Sequence, residues 1–387
     1  MRIAMISYWA CPLTRLGVLR GGGMSVYILQ FANFLGNLGI SVDIYTRTHK
    51  DCDENVLEIQ KNVRVIHIPS QNLETFITSH QLQYDVLHAH YYYSGIVGLF
   101  LQKKLHIPLV QTFHTLGVMK QSYGGEIDVK RIKAEKEIIQ KVDGIIASTV
   151  LEKDELIRKY KADGKKIFVI HPGVNHRIFK QHKKVFSRGK LGLPQNKKII
   201  LFVGRIDPIK GIRLLIEAVA RLSHLHPSFE KKFRVLLIGG DVKSSDFWHH
   251  PEVQKIKSLI IQKQLECCIK FMGSQPHQML PFYYAASDVV VMPSVYESFG
   301  LVVLEALACG ATVLASAVGG LTYLIQDKIN GRLFESNNVN NLSDVLWELL
   351  NDEEERKELS KGALLSSQKY CWEKQAQELV KVYKHFI

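Results

Sequence analysis

Short apolar runs separated by longer stretches of helical spacing recur along this chain, and the alternation starts afresh near residue 198. In the first half, residues 3–7, 41–46, 63–68, 86–88, 109–113, 144–147 and 167–170 read as strands. In the second, residues 198–204, 234–238, 269–272, 289–292 and 312–316 do. Buried strands alternating with helices build parallel sheets from βαβ units. The chain is therefore read as α/β, with two facing Rossmann-like doubly wound domains. Ligands of such sheets bind beyond the carboxyl ends of the strands, so two facing domains put a cleft between two such edges. The expected bounds are an N-terminal domain over 1–180, a C-terminal domain over 181–368, and a last helix over 369–387 packing back toward the N-terminal domain. That helix has apolar spacing at Trp372, Ala376, Leu379, Val380 and Tyr383. Residues 179–190, FKQHKKVFSRGK, read as a polar basic linker between the domains.

Length and composition fit this reading. A chain of 387 residues is too long for one core and suits two ordinary domains. With 46% hydrophobic and 22% charged residues, disorder is excluded. The start, MRIAMIS, lacks the length of a signal peptide's apolar region and reads as a buried strand. No stretch approaches the ~20 apolar residues that span a bilayer. Cys11, Cys52, Cys267, Cys268, Cys309 and Cys371 show no CxxC spacing, so neither a zinc site nor a disulfide framework is indicated, and a reducing cytoplasm is the simplest compartment. The net charge of +13 divides as +7 over residues 1–180 and +6 over 181–387. So diffuse an excess argues for anionic small substrates over nucleic acid, and leaves peripheral contact with an anionic membrane open. Monomer and homodimer both remain open.

Four loops at expected strand ends carry the chemistry. Between residues 293 and 334, Glu297 and Glu305 bracket a turn, Ser298-Phe299-Gly300-Leu301, and the helix that begins near Gly300. The first backbone N–H groups of a helix lack intrahelical partners and attract phosphate. Two carboxylates, one before the helix and one inside it, suit hydroxyls at two points of a nucleotide diphosphate sugar. Spacing alone favours the plainer reading of a capping and a solvated glutamate. Arg205 and Lys210 flank the strand-to-helix turn GRIDPIKG, where two cations suit a pyrophosphate leaving group, although surface cations at a loop share that spacing. Gly21, Gly22 and Gly23 precede a helix and allow close approach of a phosphate, or simply a flexible loop, in a pattern that is neither GxGxxG nor a P-loop. His114 ends a strand, as hydrogen-bond donor, base or satisfied core residue. His88 and His90 have no ligand-type partner at metal-site spacing and read as packing or acceptor contacts.

Taken together, GGGMSVYILQFANFLGNLG, HAHYYYSGIVG, FHTLGVMK, HPGVNHRIF, GRIDPIKGI and YESFGLVVLEALACG resemble the retaining glycosyltransferase family 4, with its two-domain GT-B fold, over most of residues 1–335. The likeness is to the branch holding sucrose-phosphate synthases and D-inositol 3-phosphate N-acetylglucosaminyltransferases. It implies a transferase moving a hexose or N-acetylhexosamine, from a UDP-sugar by preference, to an acceptor hydroxyl, with no cofactor and no metal. It further implies that Gly22 and Gly23 approach the donor phosphates and that Arg205 and Lys210 hold the leaving pyrophosphate. Glu297, Phe299, Gly300 and Leu301 would hold the donor's sugar and phosphate, Glu305 its ribose, and His114 would lie near the sugar 6-hydroxyl. Tyr91, Thr115 and Arg131 would face the acceptor, a small molecule or a glycan or lipid-linked sugar. The chain departs from the inositol-phosphate branch over residues 69–84, which hold no lysine or arginine to grip an acceptor phosphate. The competing readings are a non-catalytic nucleotide-sugar or carbohydrate-binding protein and a GT-B epimerase. The epimerase lacks the Glu297-to-Glu305 block.

Overall fold

Runs such as Ile-Ala-Met-Ile and Ile-Ile-Leu-Phe-Val can bury both faces only in a parallel sheet covered by helices on each side. The computed structural model, which describes residues 1–14, 17, 22–49, 55–68, 73–122 and 128–387, contains two such sheets. The first unit comprises Met1–Thr14, Gly23–Pro172 and Trp372–Ile387, and the second Arg15–Gly22 and Gly173–Cys371.

The first sheet is built from β1 (Arg2–Ser7), β2 (Ser41–Arg47), β3 (Val56–Gln60), β4 (Val63–Ile68), β5 (Val86–His90), β6 (Leu109–Thr112), β7 (Gly144–Ala147) and β8 (Ile167–Val169), in the order β3-β4-β2-β1-β5-β6-β7-β8. All pairs are parallel except β3 with β4. β3 is the strand the sequence reading lacks, an edge strand whose half-exposed VLEIQ gives little apolar signal. The second sheet is built from β9 (Lys198–Val203), β10 (Phe233–Ile238), β11 (Ile269–Gly273), β12 (Val289–Met292), β13 (Val313–Ser316) and β14 (Arg332–Phe334), in the order β11-β10-β9-β12-β13-β14. β14, only three residues long, is likewise absent from that reading. Strand order reverses direction at β1/β5 in one sheet and at β9/β12 in the other. These are the switch points at which open α/β sheets bind their ligands.

Two boundaries differ from expectation. The chain changes unit between Pro172 and Gly173, earlier than residue 180, and Gly17 and Gly22 belong with the second unit, where the Gly17 carbonyl accepts from the Gly240 N–H at 2.8 Å. The expected linker is part of that unit too, with a helix at Lys184–Lys190. Its charges misled the reading because they neutralise a buried carboxylate. Arg188 donates to Asp288 at 2.8 Å, both side chains being 5% exposed, and the half-exposed Lys184 donates to the same carboxylate. Asp288 also accepts from the N–H of Ile199, the second residue of β9. Asp288→Asn should therefore lower unfolding free energy in urea by about 3–5 kcal/mol, since it strands the buried Arg188 guanidinium. A loss under about 1 kcal/mol would place the pair among screened surface contacts.

The last helix, Trp372–Lys384, belongs to the first unit. Trp372 meets Phe31 edge-on at 5.0 Å, and the Tyr383 hydroxyl bonds His88 at 2.6 Å. Among the described residues no helix is long and apolar enough to cross a membrane.

Candidate active site

In the second unit the site grows from the loops after β9 and β12. After β9, Asp207 accepts from the Ile209 N–H at 3.1 Å and sets up a tight turn over Pro208–Lys210. Gly211 follows at φ 67°, and a Cβ there would lie 1.9 Å from the Pro293 carbonyl oxygen, so only glycine lets the two loops touch. The Val295 N–H also donates to the Ile209 carbonyl at 2.8 Å. Pinned in this way, Lys210 reaches across the switch point and forms an ion pair with Glu297. The resemblance assigns Lys210 to the pyrophosphate and Glu297 to the donor's sugar and phosphate, and the structure pairs the two side chains with each other. Arg205 lies 3.6 Å from Asp207 and keeps about a third of its side chain exposed. Gly22 passes close by, a Cβ there being 3.7 Å from Arg205 Cδ. Gly23 opens the helix Gly23–Asn37 in the first unit. Arg20 and Gly21 lie outside the described residues.

Gly300, at φ 98°, turns the chain into the helix Leu301–Ala308 and has no side chain to cap it. The first N–H groups of that helix are open to an anionic group. Phe299 is buried beneath the turn, with Tyr370 edge-on at 5.8 Å. Behind the turn stands a third loop, after β13. The Gly320 N–H donates to the Glu297 carbonyl at 2.8 Å. A Cβ on Gly320 would fall 2.5 Å from Phe299 Cα. The pair Gly319-Gly320 escaped the sequence reading, although adjacent glycines opening a helix are a signal of close backbone approach.

Glu305, one turn inside Leu301–Ala308, is buried. His277 Nε2 lies 2.7 Å from its Oε1, and the Tyr284 hydroxyl donates to Oε2 at 3.3 Å. A carboxylate has about four lone-pair positions, so two partners fix its orientation and leave acceptor capacity for a ligand. Burial alone would depress the His277 pKa, but the charge of Glu305 and its hydrogen bond outweigh burial and raise the pKa above 6.5. His277 and Tyr284 were missed, because a lone histidine in SQPHQM carries no spacing signal.

Glu305→Ala should weaken nucleotide binding by roughly 1.5–3 kcal/mol, or about 10–150-fold in Kd by calorimetry. Unchanged affinity would remove Glu305 from the site. The stabilisation from the His277–Glu305 pair is complete below pH 6.5 and is lost as pH rises through the raised native pKa. His277→Gln should flatten that part of the stability profile.

In the first unit, loops after β5 and β6 bring the other candidates together. His114 and Tyr91 have positive φ, 62° and 72°. Such strain, about 1–3 kcal/mol per residue, gathers at functional sites. His114 Nε2 lies 3.1 Å from His90 Nδ1, and its ring meets Tyr27 edge-on at 4.8 Å. Burial holds its pKa down to about 3, so at neutral pH it is an uncharged hydrogen-bonding group and a weak base. His88 and His90 are fully buried, and His88 bonds Thr112 and Tyr383.

Arg131 joins Tyr91 and Thr115 as expected but presents little surface. Its Nε donates to Glu135 at 2.7 Å and its Nη2 to the Thr115 carbonyl at 2.6 Å, with the guanidinium 4.9 Å over the Tyr91 ring. Glu135 in turn accepts from the Gly117 N–H and from Tyr160. Arg131 is thus a buried lock that sets the Tyr91 ring and the Thr115 backbone, and a negatively charged ligand would find few of its donors available.

Two α/β sheets, each with its candidate loops at the carboxyl edge, are the architecture of a GT-B fold. Sequence and structural comparisons give the same answer. The chain matches the family of glycosyl transferases group 1 over residues 183–365 and glycosyltransferase family 4 over residues 21–177. It is 34% identical to a D-inositol 3-phosphate glycosyltransferase of Corynebacterium diphtheriae, covering 99% of this chain and 94% of that protein. A sucrose-phosphate synthase from Thermosynechococcus elongatus superimposes with a TM-score of 0.90 at 31% identity, covering 100% of this chain and 98% of the other. Anabaena HepE, solved with UDP and glucose, shares the fold at TM-score 0.83 and 20% identity over 99% of each chain. The chain belongs to glycosyltransferase family 4, whose reaction moves a sugar from a nucleotide sugar to an acceptor.

Proposed function

We propose that this transferase takes a hexose or N-acetylhexosamine from a UDP-sugar, with retention of configuration and with no metal ion or cofactor in the chemical step. The observation that carries this reading is the grouping of Lys210, Glu297, the open start of Leu301–Ala308 and the oriented Glu305 carboxylate at one switch point. Glu305 accepts the ribose hydroxyls. The helix start and the Gly22 and Gly23 backbone take the phosphates, while Arg205 and Lys210 neutralise the charge that grows on the leaving pyrophosphate. Glu297, with the backbone of Phe299, Gly300 and Leu301, holds the sugar. As Lys210 turns to the phosphate, Glu297 is released to accept a sugar hydroxyl. The acceptor oxygen bonds to the anomeric carbon on the face the nucleotide leaves, the bond from that carbon to phosphate breaks, and the acceptor proton passes to the departing phosphate oxygen. No carboxylate nucleophile is needed.

From the first unit, His114 serves as a neutral hydrogen-bonding group toward the donor sugar, and Tyr91 and Thr115 toward the acceptor. The Corynebacterium relative is named for D-inositol 3-phosphate. Here residues 69–84 lack a lysine or arginine and the donors of Arg131 are largely engaged, so neutral polyols belong in the acceptor panel beside inositol phosphates. Incubation with UDP-, GDP- and ADP-sugars should show slow hydrolysis of a UDP-hexose or UDP-N-acetylhexosamine, and proton NMR of fresh product should show the donor's own anomeric configuration. Preference for another nucleotide or an inverted product would overturn the respective part of this reading.

A further inference from the structure

Cys11, His49 and His67 are distant in sequence, and spacing there gives no hint of a metal site. The first sheet brings them together. β4, β2 and β1 are adjacent, with Thr46 of β2 in register with both His67 of β4 and Ser7 of β1. Cys11 lies just past β1, where the Ser7 hydroxyl donates to the Ala10 carbonyl at 2.6 Å and the Thr14 N–H to the Cys11 carbonyl. His49 lies just past β2. The three side chains therefore meet at one carboxyl edge, with one ligand atom from each lying within 4.8 Å of the others. Cys11 Sγ is 3.3 Å from His67 Nε2, and the His49 ring meets the His67 ring edge-on at 5.3 Å.

We propose that Cys11, His49 and His67 form a binding site for a zinc-class divalent cation. In a tetrahedral zinc site, sulfur and nitrogen ligand atoms stand about 3.4–3.6 Å apart, as bond lengths of about 2.3 and 2.0–2.1 Å require. The Cys11–His67 pair is within a few tenths of an ångström of that spacing, and a separation at the 4.8 Å limit needs a shift of about 1.2–1.5 Å. A thiol-to-imidazole hydrogen bond accounts for two of these groups, but not for a third ligand atom converging on them. One thiolate and two imidazoles with no carboxylate select zinc over magnesium or calcium. Cys11 and His67 are buried, while His49 is the most exposed of the three and gives the ion a path in. Binding replaces the thiol proton, which passes to solvent, and leaves the fourth position to water.

The consequence lies in the loop between β1 and Cys11. Trp9 on that loop stacks on Tyr93 at 5.1 Å and leans on Tyr91 at 6.0 Å. A bound ion would tether the loop and, through Trp9, hold Tyr91. The site is separate from the transfer chemistry proposed above, and its test does not depend on turnover.

Chelator-treated full-length protein should be titrated with Co2+, whose tetrahedral ligand-field bands and thiolate-to-cobalt charge-transfer band report the site, and then back-titrated with Zn2+. The expected result is a single equivalent of Co2+, displaced by Zn2+, with the charge-transfer band abolished in Cys11→Ser and retained in Cys267→Ser, whose thiol is exposed. His49→Gln, at the most exposed of the three positions, opens no core cavity and should keep the native circular dichroism and lose at least about tenfold in Zn2+ affinity. Absence of the band at saturating Co2+, its survival in Cys11→Ser, or unchanged Zn2+ affinity in a folded His49→Gln protein would each overturn the assignment.

Discussion

Lys210→Ala should lower kcat by about 10²–10³-fold with a much smaller change in KM, because the charge it meets on the leaving pyrophosphate is largest in the transition state. In the free protein Lys210 is paired with Glu297, both side chains being less than a fifth exposed. Removing Lys210 alone therefore also leaves a poorly solvated carboxylate without its counter-ion. The double substitution Lys210→Ala/Glu297→Ala separates the two effects. Stability lost in the single variant should be regained in the double, since neither charge is then left alone. Turnover should not be regained. A double variant that recovers activity, or a single one affected only in KM, would make Lys210 a structural partner of Glu297 and nothing more.

Gly320→Ala tests the support beneath the same loop. The added methyl carbon would fall 2.4 Å from the Ser298 carbonyl oxygen, 2.5 Å from Phe299 Cα and 2.7 Å from Phe299 N. All three are backbone atoms, so no side chain can swing aside, and the turn carrying Glu297 and Gly300 must move. The expected cost is about 2–4 kcal/mol in the unfolding of the second unit. Displacing the turn by about 1 Å should also lower turnover on the order of 100-fold. Gly189→Ala is the matched control. It lies in the helix Lys184–Lys190, has no atom within 4 Å of the added carbon, and should be neutral or stabilising by up to about 1 kcal/mol. Gly320→Ala protein with native stability and activity would show that the turn does not rest on the glycine pair.

Apolar periodicity made the sheets legible, because a strand buried on both faces has little choice of residue, as in KIILFV of β9 and VVVM of β12. β3 and β14 escaped for the opposite reason, one being a half-exposed edge interrupted by Glu58 and Gln60 and the other too short to show a period. The residues 179–190 show where charge misleads. Arg188 reads as solvated linker until Asp288, a hundred residues on, accounts for it. Within the candidate site, Arg205, Lys210, Glu297 and Glu305 could be named from turn chemistry and family resemblance, since the first three lie at strand-to-helix turns and Glu305 one turn inside the helix that follows. Their neighbours could not. His277 reaches Glu305, and Gly320 reaches Phe299, only through tertiary contacts that no local spacing encodes. Arg131 illustrates the remaining gap. Its position beside Tyr91 and Thr115 followed from the resemblance, whereas its burial against Glu135 depends on the packing of the helix Val129–Lys141.

On the proposed function, the switch point between β9 and β12 holds the nucleotide of the donor. A crystal structure of the protein soaked with UDP tests it most directly. Difference density should place the ribose hydroxyls within hydrogen-bond distance of Glu305 and the pyrophosphate against the start of Leu301–Ala308, beside Arg205, with Lys210 turned from Glu297 toward phosphate. UDP bound elsewhere on the chain, or a nucleotide whose ribose does not touch Glu305, would contradict the account.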